Sequence, residues 1–126
     1  MSQRPLLDRA HVTERVATAQ AAFYASVLDR VRAAIAEHPV VVVGMAWNPH
    51  VRKAREALDG AGIPHHYIEL GSYVSAWRER LAIKMWSGWP TFPQVFVRGV
   101  LFGGNRDLRA GLEDGSVRAA LDATGS

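Results

Sequence analysis

WPTFPQVFVRGVLFGGNRDL, residues 89–108, decides how the second half of the chain folds. Pro93-Gln94-Val95-Phe96-Val97 is a short run of β-branched and aromatic side chains, Arg98-Gly99 a two-residue turn, and Val100-Leu101-Phe102 a returning strand. That pattern predicts an antiparallel hairpin. Gly103-Gly104 then break the chain before a helix at about 105–113, and Gly115 separates a last helix that reaches about Ala123.

Upstream the spacing changes. Four consecutive valines within 40–45 suit a strand covered on both faces. Pro49 then opens a helix that runs to about Asp59, since a proline in the first turn gives up an N–H that has no partner there anyway. Gly60 and Gly62 punctuate its end, and 65–70 alternates as a second strand. Residues 72–86, with Val74, Trp77, Leu81 and Met85 on one face, predict a crossover helix, and strand–helix–strand implies a parallel pair with a right-handed crossover. Before all of this, Val16, Ala19, Phe23, Val27, Val31 and Ile35 recur every three to four residues. They predict one long helix over 13–37, with Thr13 able to cap its start and Pro39 marking its end. The order is αβαβαββαα: an α/β fold with a mixed four-stranded sheet, helices on both faces and an extended N-terminal helix. Residues 1–26 are expected as a mostly helical extension, frayed over 1–12, followed by one domain over 27–123 and a tail at 124–126. The Ala-rich half of the first helix either packs on its own domain or pairs with a second copy as a homodimer.

At 126 residues, with 48% hydrophobic and 21% charged side chains, the chain fits one globular domain with appendages, and wholesale disorder is not expected. No apolar stretch approaches the roughly 18–20 residues that cross a bilayer. MSQRPLLDRAHV lacks the apolar centre of a secretory signal, so no membrane association and a cytoplasmic address are expected. The net charge of +3 is spread along the chain without a basic cluster interleaved with aromatics, which argues against nucleic acid and leaves small anionic ligands open. The cysteine count is zero, which removes disulfides, thiolate nucleophiles and zinc-thiolate sites together. The five histidines do not pair with acids at metal-ligand spacing, and the adjacent His65 and His66 face opposite sides of a strand, so no metal site is expected.

The stretch from Trp89 to Gly99, then Phe102-Gly103-Gly104-Asn105-Arg106-Asp107-Leu108, with VLDRVRAAIAEHPVVVV before the first strand and RKAREALDGAGIPHHYIEL after it, resembles the glutaredoxin family of the thioredoxin fold. The resemblance covers roughly 27–122, and Ser87-Gly88-Trp89-Pro90-Thr91 is closest in wording to the monothiol branch. It implies a three-layer thioredoxin-like fold and a groove for glutathione or a thiol conjugate. Pro93 falls on the family's cis-proline, beside which the Phe92 backbone pairs with the ligand's cysteinyl backbone, strand fashion. Gly104, Asn105 and Arg106 fall on the helix start that faces the γ-glutamyl carboxylate, Asp107 lies near its amine, and Arg80 matches a basic side chain offered to the glycine carboxylate. Thr91 and Gly103 complete the matched set.

The same resemblance exposes departures. The family's Cys-Pro-Tyr-Cys or Cys-Gly-Phe-Ser falls on Asn48-Pro49-His50-Val51, its lysine three residues earlier on Met45, and an acid often found after Gly-Gly-X on Arg106. An amide nitrogen cannot attack sulfur and leave a mixed disulfide, so thiol–disulfide exchange is not expected. A protein-ligated iron–sulfur cluster fails on the same ground. Asn48 then reads in two ways: as a helix N-cap, or as an N–H donor that stabilises the thiolate of bound glutathione. His50 is either a general base at the groove mouth or a flat ring standing where the family has another, and Trp47 packs at the rim or covers an apolar ligand. Trp86 reads as packing, and Asp107 and Asp114 read as separate helix caps. The expectation is therefore a cysteine-less, glutaredoxin-like binding or regulatory module for a small ligand. The alternative is a glutathione-dependent or thiol-independent transferase, lyase or isomerase working at Asn48 and His50.

Overall fold

The computed structural model describes residues 13–72 and 74–123. The expectations for 1–12 and 124–126, and those for the side chains of Val16, Ala19 and Phe23, lie outside the described residues, and with them the idea of a dimer contact there. The elements run α1 (Glu14–Glu37), β1 (Val40–Gly44), α2 (Pro49–Gly60), β2 (His66–Glu69), α3 (Trp77–Ser87), β3 (Gln94–Val97), β4 (Val100–Gly103), α4 (Asn105–Asp114) and α5 (Ser116–Asp122), in the order the sequence predicts.

The sheet order is β2-β1-β3-β4. β1 runs parallel to β2 and antiparallel to β3, and β3 and β4 form the hairpin. Four valines make β1 a central strand because period-two alternation gives each sheet face two of them. Val41 and Val43 join Val31, Ile68, Ile83, Phe92 and Phe96 under α1 and α3. Val40 and Val42 join Ala54, Leu58, Val95, Val97, Leu108 and Val117 under α2, α4 and α5. All four are at most 1% exposed, and burying each contributes about 1.5–3 kcal/mol. The hairpin turn has Arg98 at φ 49° and Gly99 at φ 80°, the two positive values that match a tight turn to strand twist. α1 is 24 residues, about 36 Å, and packs its domain-facing side chains, Val27, Leu28, Val31, Ala34 and Ile35, onto the first core.

One prediction fails in both boundary and face. α3 starts at Trp77 rather than near 72, because Ser72 and Ser75 offer the backbone a competing set of bonds. The Ser75 hydroxyl accepts from the Ser72 N–H at 3.0 Å, the Ser72 hydroxyl accepts from the Val74 N–H at 3.3 Å, and Ala76 enters the helix from φ 56°. The stripe expected to face inward is outside: Val74, Trp77 and Leu81 are 86%, 59% and 43% exposed. The buried face carries Arg80, Ala82 and Ile83 instead.

Candidate functional site

Three chain turns meet at one end of the sheet, and strand register puts them there. Val43 pairs with Gln94, so the exit of β1 lies beside the entry of β3; Val95 pairs with Gly103, so the exit of β4 lies next to both. The β1–α2 junction, the Thr91–Pro93 turn and the start of α4 are thereby brought together.

The junction is fixed to β2 by backbone bonds from Leu70 N–H to the Gly44 carbonyl, 2.8 Å, and from Ala46 N–H to the Gly71 carbonyl, 2.7 Å. Val51 fills the space behind it, and a Cβ on Gly44 would stand 2.7 Å from its Cγ1, so only glycine lets α2 approach β1 this closely. Met45, on the position of the family lysine, is buried and apolar. Trp47 sits at φ 62° and is 76% exposed. Asn48 is the N-cap of α2: its Oδ1 accepts from the His50 N–H at 2.9 Å and from the Val51 N–H at 3.2 Å. With the oxygen committed to the helix, the amide hydrogens on Nδ2 have no partner among the described residues and remain available to a ligand. His50 is exposed, and its imidazole has no hydrogen bond among the described residues to orient it.

In the second turn Thr91 is exposed, Phe92 and Pro93 are buried, and the Phe92–Pro93 peptide is cis. The turn is braced by Gln94, whose Nε2 donates to the Trp89 carbonyl at 3.0 Å. Neither backbone polar group of Phe92 is hydrogen-bonded within the described residues. In the third turn Gly103 has φ 98°, and a Cβ there would meet the Asp107 Oδ2 at 2.6 Å and the Trp89 ring at 3.0 Å. Glycine at this point lets the Asp107 carboxylate reach back and accept from the Gly104 N–H at 3.2 Å. Gly104 is the N-cap of α4 and has no side chain to cap it, so the first-turn N–H groups of Asn105 and Arg106 face outward as orphan donors.

Arg80 does not point where the resemblance places it. It is 8% exposed, and its Nη1 donates to the carbonyls of Leu70, 2.9 Å, and Ser75, 2.5 Å, tying α3 to the loop after β2. A second basic side chain of α3, Lys84, has its Nζ 5.7 Å from the Phe92 ring centroid. Lys84 was missed, although it sits one helical turn after Arg80, and that spacing is the signal that marks it. Trp86 packs on Phe96 with ring centroids 5.8 Å apart, as expected.

Residues 40–102 match the glutaredoxin family, and over 105 residues the chain is 44% identical to a glutaredoxin-like protein of Dictyostelium discoideum, covering 83% of this chain and 85% of that one. The chain belongs to the glutaredoxin family. It is also 30% identical over 83 residues to glutaredoxin 4 of Haemophilus influenzae, covering 61% of this chain and 74% of that one. Oxidised glutaredoxin 2 of Chlamydomonas reinhardtii superposes with a TM-score of 0.68 at 26% identity, covering 81% of this chain and 96% of that one. A buckwheat glutaredoxin–glutathione complex shares the fold at a TM-score of 0.70 and 22% identity, covering 78% of this chain and 89% of that one. This glutaredoxin-family chain has no cysteine in its 126 residues, so it has no thiolate of its own to attack a disulfide or ligate an iron–sulfur cluster. No group of three or more metal-ligating side chains is present among the described residues, and no helix there is long and apolar enough to cross a membrane.

Proposed function

We propose that this glutaredoxin-family domain binds a small anionic ligand, glutathione or a glutathione conjugate, in the groove between the three turns, and does not itself exchange disulfides. The observation that carries the reading is the state of Asn48. Its oxygen caps α2 where a nucleophile would need to be free, while its amide hydrogens and the donors of the two neighbouring turns remain open.

The residues present fit a tripeptide thiol in part. The unpaired N–H and C=O of Phe92 can pair with an extended peptide backbone, and the Asn105 and Arg106 N–H groups with the Arg106 guanidinium can take a carboxylate. Lys84 supplies positive charge beside Phe92. Met45 and the inward-turned Arg80 supply none toward the glycine end, so affinity there is expected to be lower than a fully charged clamp gives. Glutathione, when bound, supplies the sulfur that the chain lacks. Asn48 Nδ2 then donates toward that sulfur from the positive end of α2. The transferase, lyase or isomerase alternative asks His50 to move a proton, and an imidazole without an orienting partner gives that role no support.

Calorimetric titration of glutathione and an S-alkyl conjugate tests the proposal. Heat is expected with the native chain and less with Arg106→Ala, together with no reduction of a mixed-disulfide substrate above the reductant alone. Absence of heat with both ligands, or reduction well above that background, would overturn it.

A further inference from the structure

At the groove end of the sheet the connections lie in strand order: the loop after β2, the β1–α2 junction, the Thr91–Pro93 turn and the start of α4. The proposed groove uses the last three. On the β2 side of Asn48 the junction carries no charged side chain, since Met45, Ala46 and Trp47 stand between it and Gly44. Trp47 is 76% exposed, and its φ of 62° is a left-handed value that a bulky residue rarely adopts. The turn itself imposes that value. The Ala46 N–H is tied to the Gly71 carbonyl at 2.7 Å on one side, and Asn48 is extended, φ −92° and ψ 116°, to cap α2 on the other. Glycine or asparagine would meet the turn with less strain. The loop packed against it repeats the pattern: Ala76 has φ 56°, and a Cβ on Gly71 would stand 2.5 Å from the Ala76 Cβ. Val74 and Trp77 of that loop are 86% and 59% exposed. Exposed apolar side chains therefore occupy the β2 side of Asn48, starting at the residue next to it.

A tryptophan held outward on a strained turn adds little to the core, so the strain is kept for a contact the ring makes outside the fold. The occupant follows from the missing sulfur, and this step rests on the glutathione reading of the groove. Where a chain has a nucleophile, the group on the ligand's sulfur is a leaving group, passed off in the exchange. Asn48 cannot attack, so a group carried on that sulfur stays on it throughout and needs a surface of its own. We infer that Trp47 is a specificity-determining residue whose indole face takes the S-substituent of a glutathione thioether. A flat apolar substituent, aryl or arylmethyl, is preferred over a methyl group or the free thiol. Aromatic rings attract one another beyond their area burial, and residues 45–47 give a charged substituent nothing to pair with. The patch is continuous with the groove at Asn48, which is why it is assigned to the same ligand. No bond forms or breaks.

Calorimetric titration with glutathione, S-methylglutathione and S-benzylglutathione tests the assignment. The native chain should bind the benzyl thioether about three- to tenfold more tightly than the methyl one, the range of one aromatic pair. Trp47→Gly suits a positive φ, so it removes the ring without adding strain, and the preference should fall below about twofold. Trp47→Phe keeps a flat ring and should retain most of the preference. Nuclear Overhauser contacts between the benzyl protons and the Trp47 indole are expected in the native complex, a reading that needs no variant. Equal affinity for the two thioethers, a preference that survives Trp47→Gly, or absence of those contacts in a saturated complex would each overturn the assignment. Sedimentation of the ligand-free chain as a dimer that Trp47→Gly dissociates would give the ring to a second copy, and would overturn it as well. The two readings fail separately. Glutathione and S-methylglutathione bound without a benzyl preference leaves the groove standing, whereas no heat from any of the three removes the groove and this inference together.

Discussion

Replacing Asn48 by alanine removes the acceptor for two N–H groups at the head of α2, 2.9 and 3.2 Å away, the second of them part-buried. N-cap deletions cost about 0.5–2 kcal/mol, and a part-buried orphan N–H argues for the upper half of that range. An unfolding entropy of about 2.1 cal/mol/K per residue over 126 residues gives roughly 0.26 kcal/mol/K. A loss of about 1–2 kcal/mol then lowers the melting midpoint by about 4–8 °C. Asn48→Asp keeps the acceptor and places a negative charge at the positive helix end, adding about 0.3–1 kcal/mol, so its midpoint should equal or exceed the native one. That carboxylate should also repel an anionic ligand and reduce glutathione heat. Asn48→Cys loses the strong acceptor and should melt near the alanine variant, yet it places a thiol at a helix N-terminus where the thiolate is favoured. It should form a mixed disulfide with oxidised glutathione that mass spectrometry detects. Differential scanning calorimetry on the three variants decides the matter. Alanine within 1 °C of the native midpoint, or aspartate as destabilised as alanine, would show that the Oδ1 bonds do not hold the helix.

Arg80→Met leaves the Leu70 and Ser75 carbonyls without their donor, and the expected loss is roughly 2–4 kcal/mol in urea unfolding; a loss under about 0.5 kcal/mol would show that water replaces the guanidinium. Burial first, then the neighbouring Glu69 carboxylate, pushes the Tyr67 hydroxyl up to about 12, with Arg55 opposing. The protonated phenol is thus favoured in the folded chain, so this contribution to stability is complete below pH 10 and is lost as pH rises toward 12. Spectrophotometric titration should show one tyrosine ionising near the top of that range, and Tyr67→Phe should remove that step. Gly103→Ala must move the Asp107 carboxylate or Trp89 and strain a φ of 98°, so a loss of about 1–3 kcal/mol is expected, with the amide resonance of Gly104 displaced. An unshifted Gly104 would contradict the contact.

The sheet was legible because its signals are local and repeat. Four valines fill both faces of β1, and Arg98-Gly99 can adopt the two positive φ values a two-residue hairpin needs. The direction of α3 was not legible, since Val74, Trp77, Leu81 and Met85 form a better apolar stripe than the buried set does. What turns the helix is Arg80, a charged side chain drawn inside by two carbonyls that belong to a loop ten and five residues earlier. Hydrophobic periodicity counts such a residue as solvent-facing, so an arginine at a core position inverts the reading. In the site, the loss of sulfur at Asn48 was plain from the letters alone. Lys84 was not, because its relation to Phe92 depends on which way α3 is rolled.

The junction then explains how a helix start can survive the loss of its nucleophile. A thiol is a weak acceptor, so a cysteine at the head of α2 leaves the N–H groups of residues 50 and 51 poorly satisfied. The carboxamide of Asn48 satisfies both at once. Exchanging sulfur for carboxamide therefore strengthens α2 by about 1 kcal/mol while removing the attacking atom, the usual opposition between stability and reactivity at such a site. Stability does not account for the rest of the groove. Phe92 keeps both backbone polar groups unpaired, and the first turn of α4 begins on a glycine that cannot cap it. Serine, aspartate or asparagine at position 104 would cap α4 better than glycine does, and a Cβ there would stand 3.6 Å from the Pro93 carbonyl, an ordinary contact. A sequence optimised for α4 alone would place one of them there. Glycine keeps those N–H groups open to an anion from outside the chain, and a Gly104→Ser variant that is more stable but binds glutathione less well is the outcome this reasoning requires.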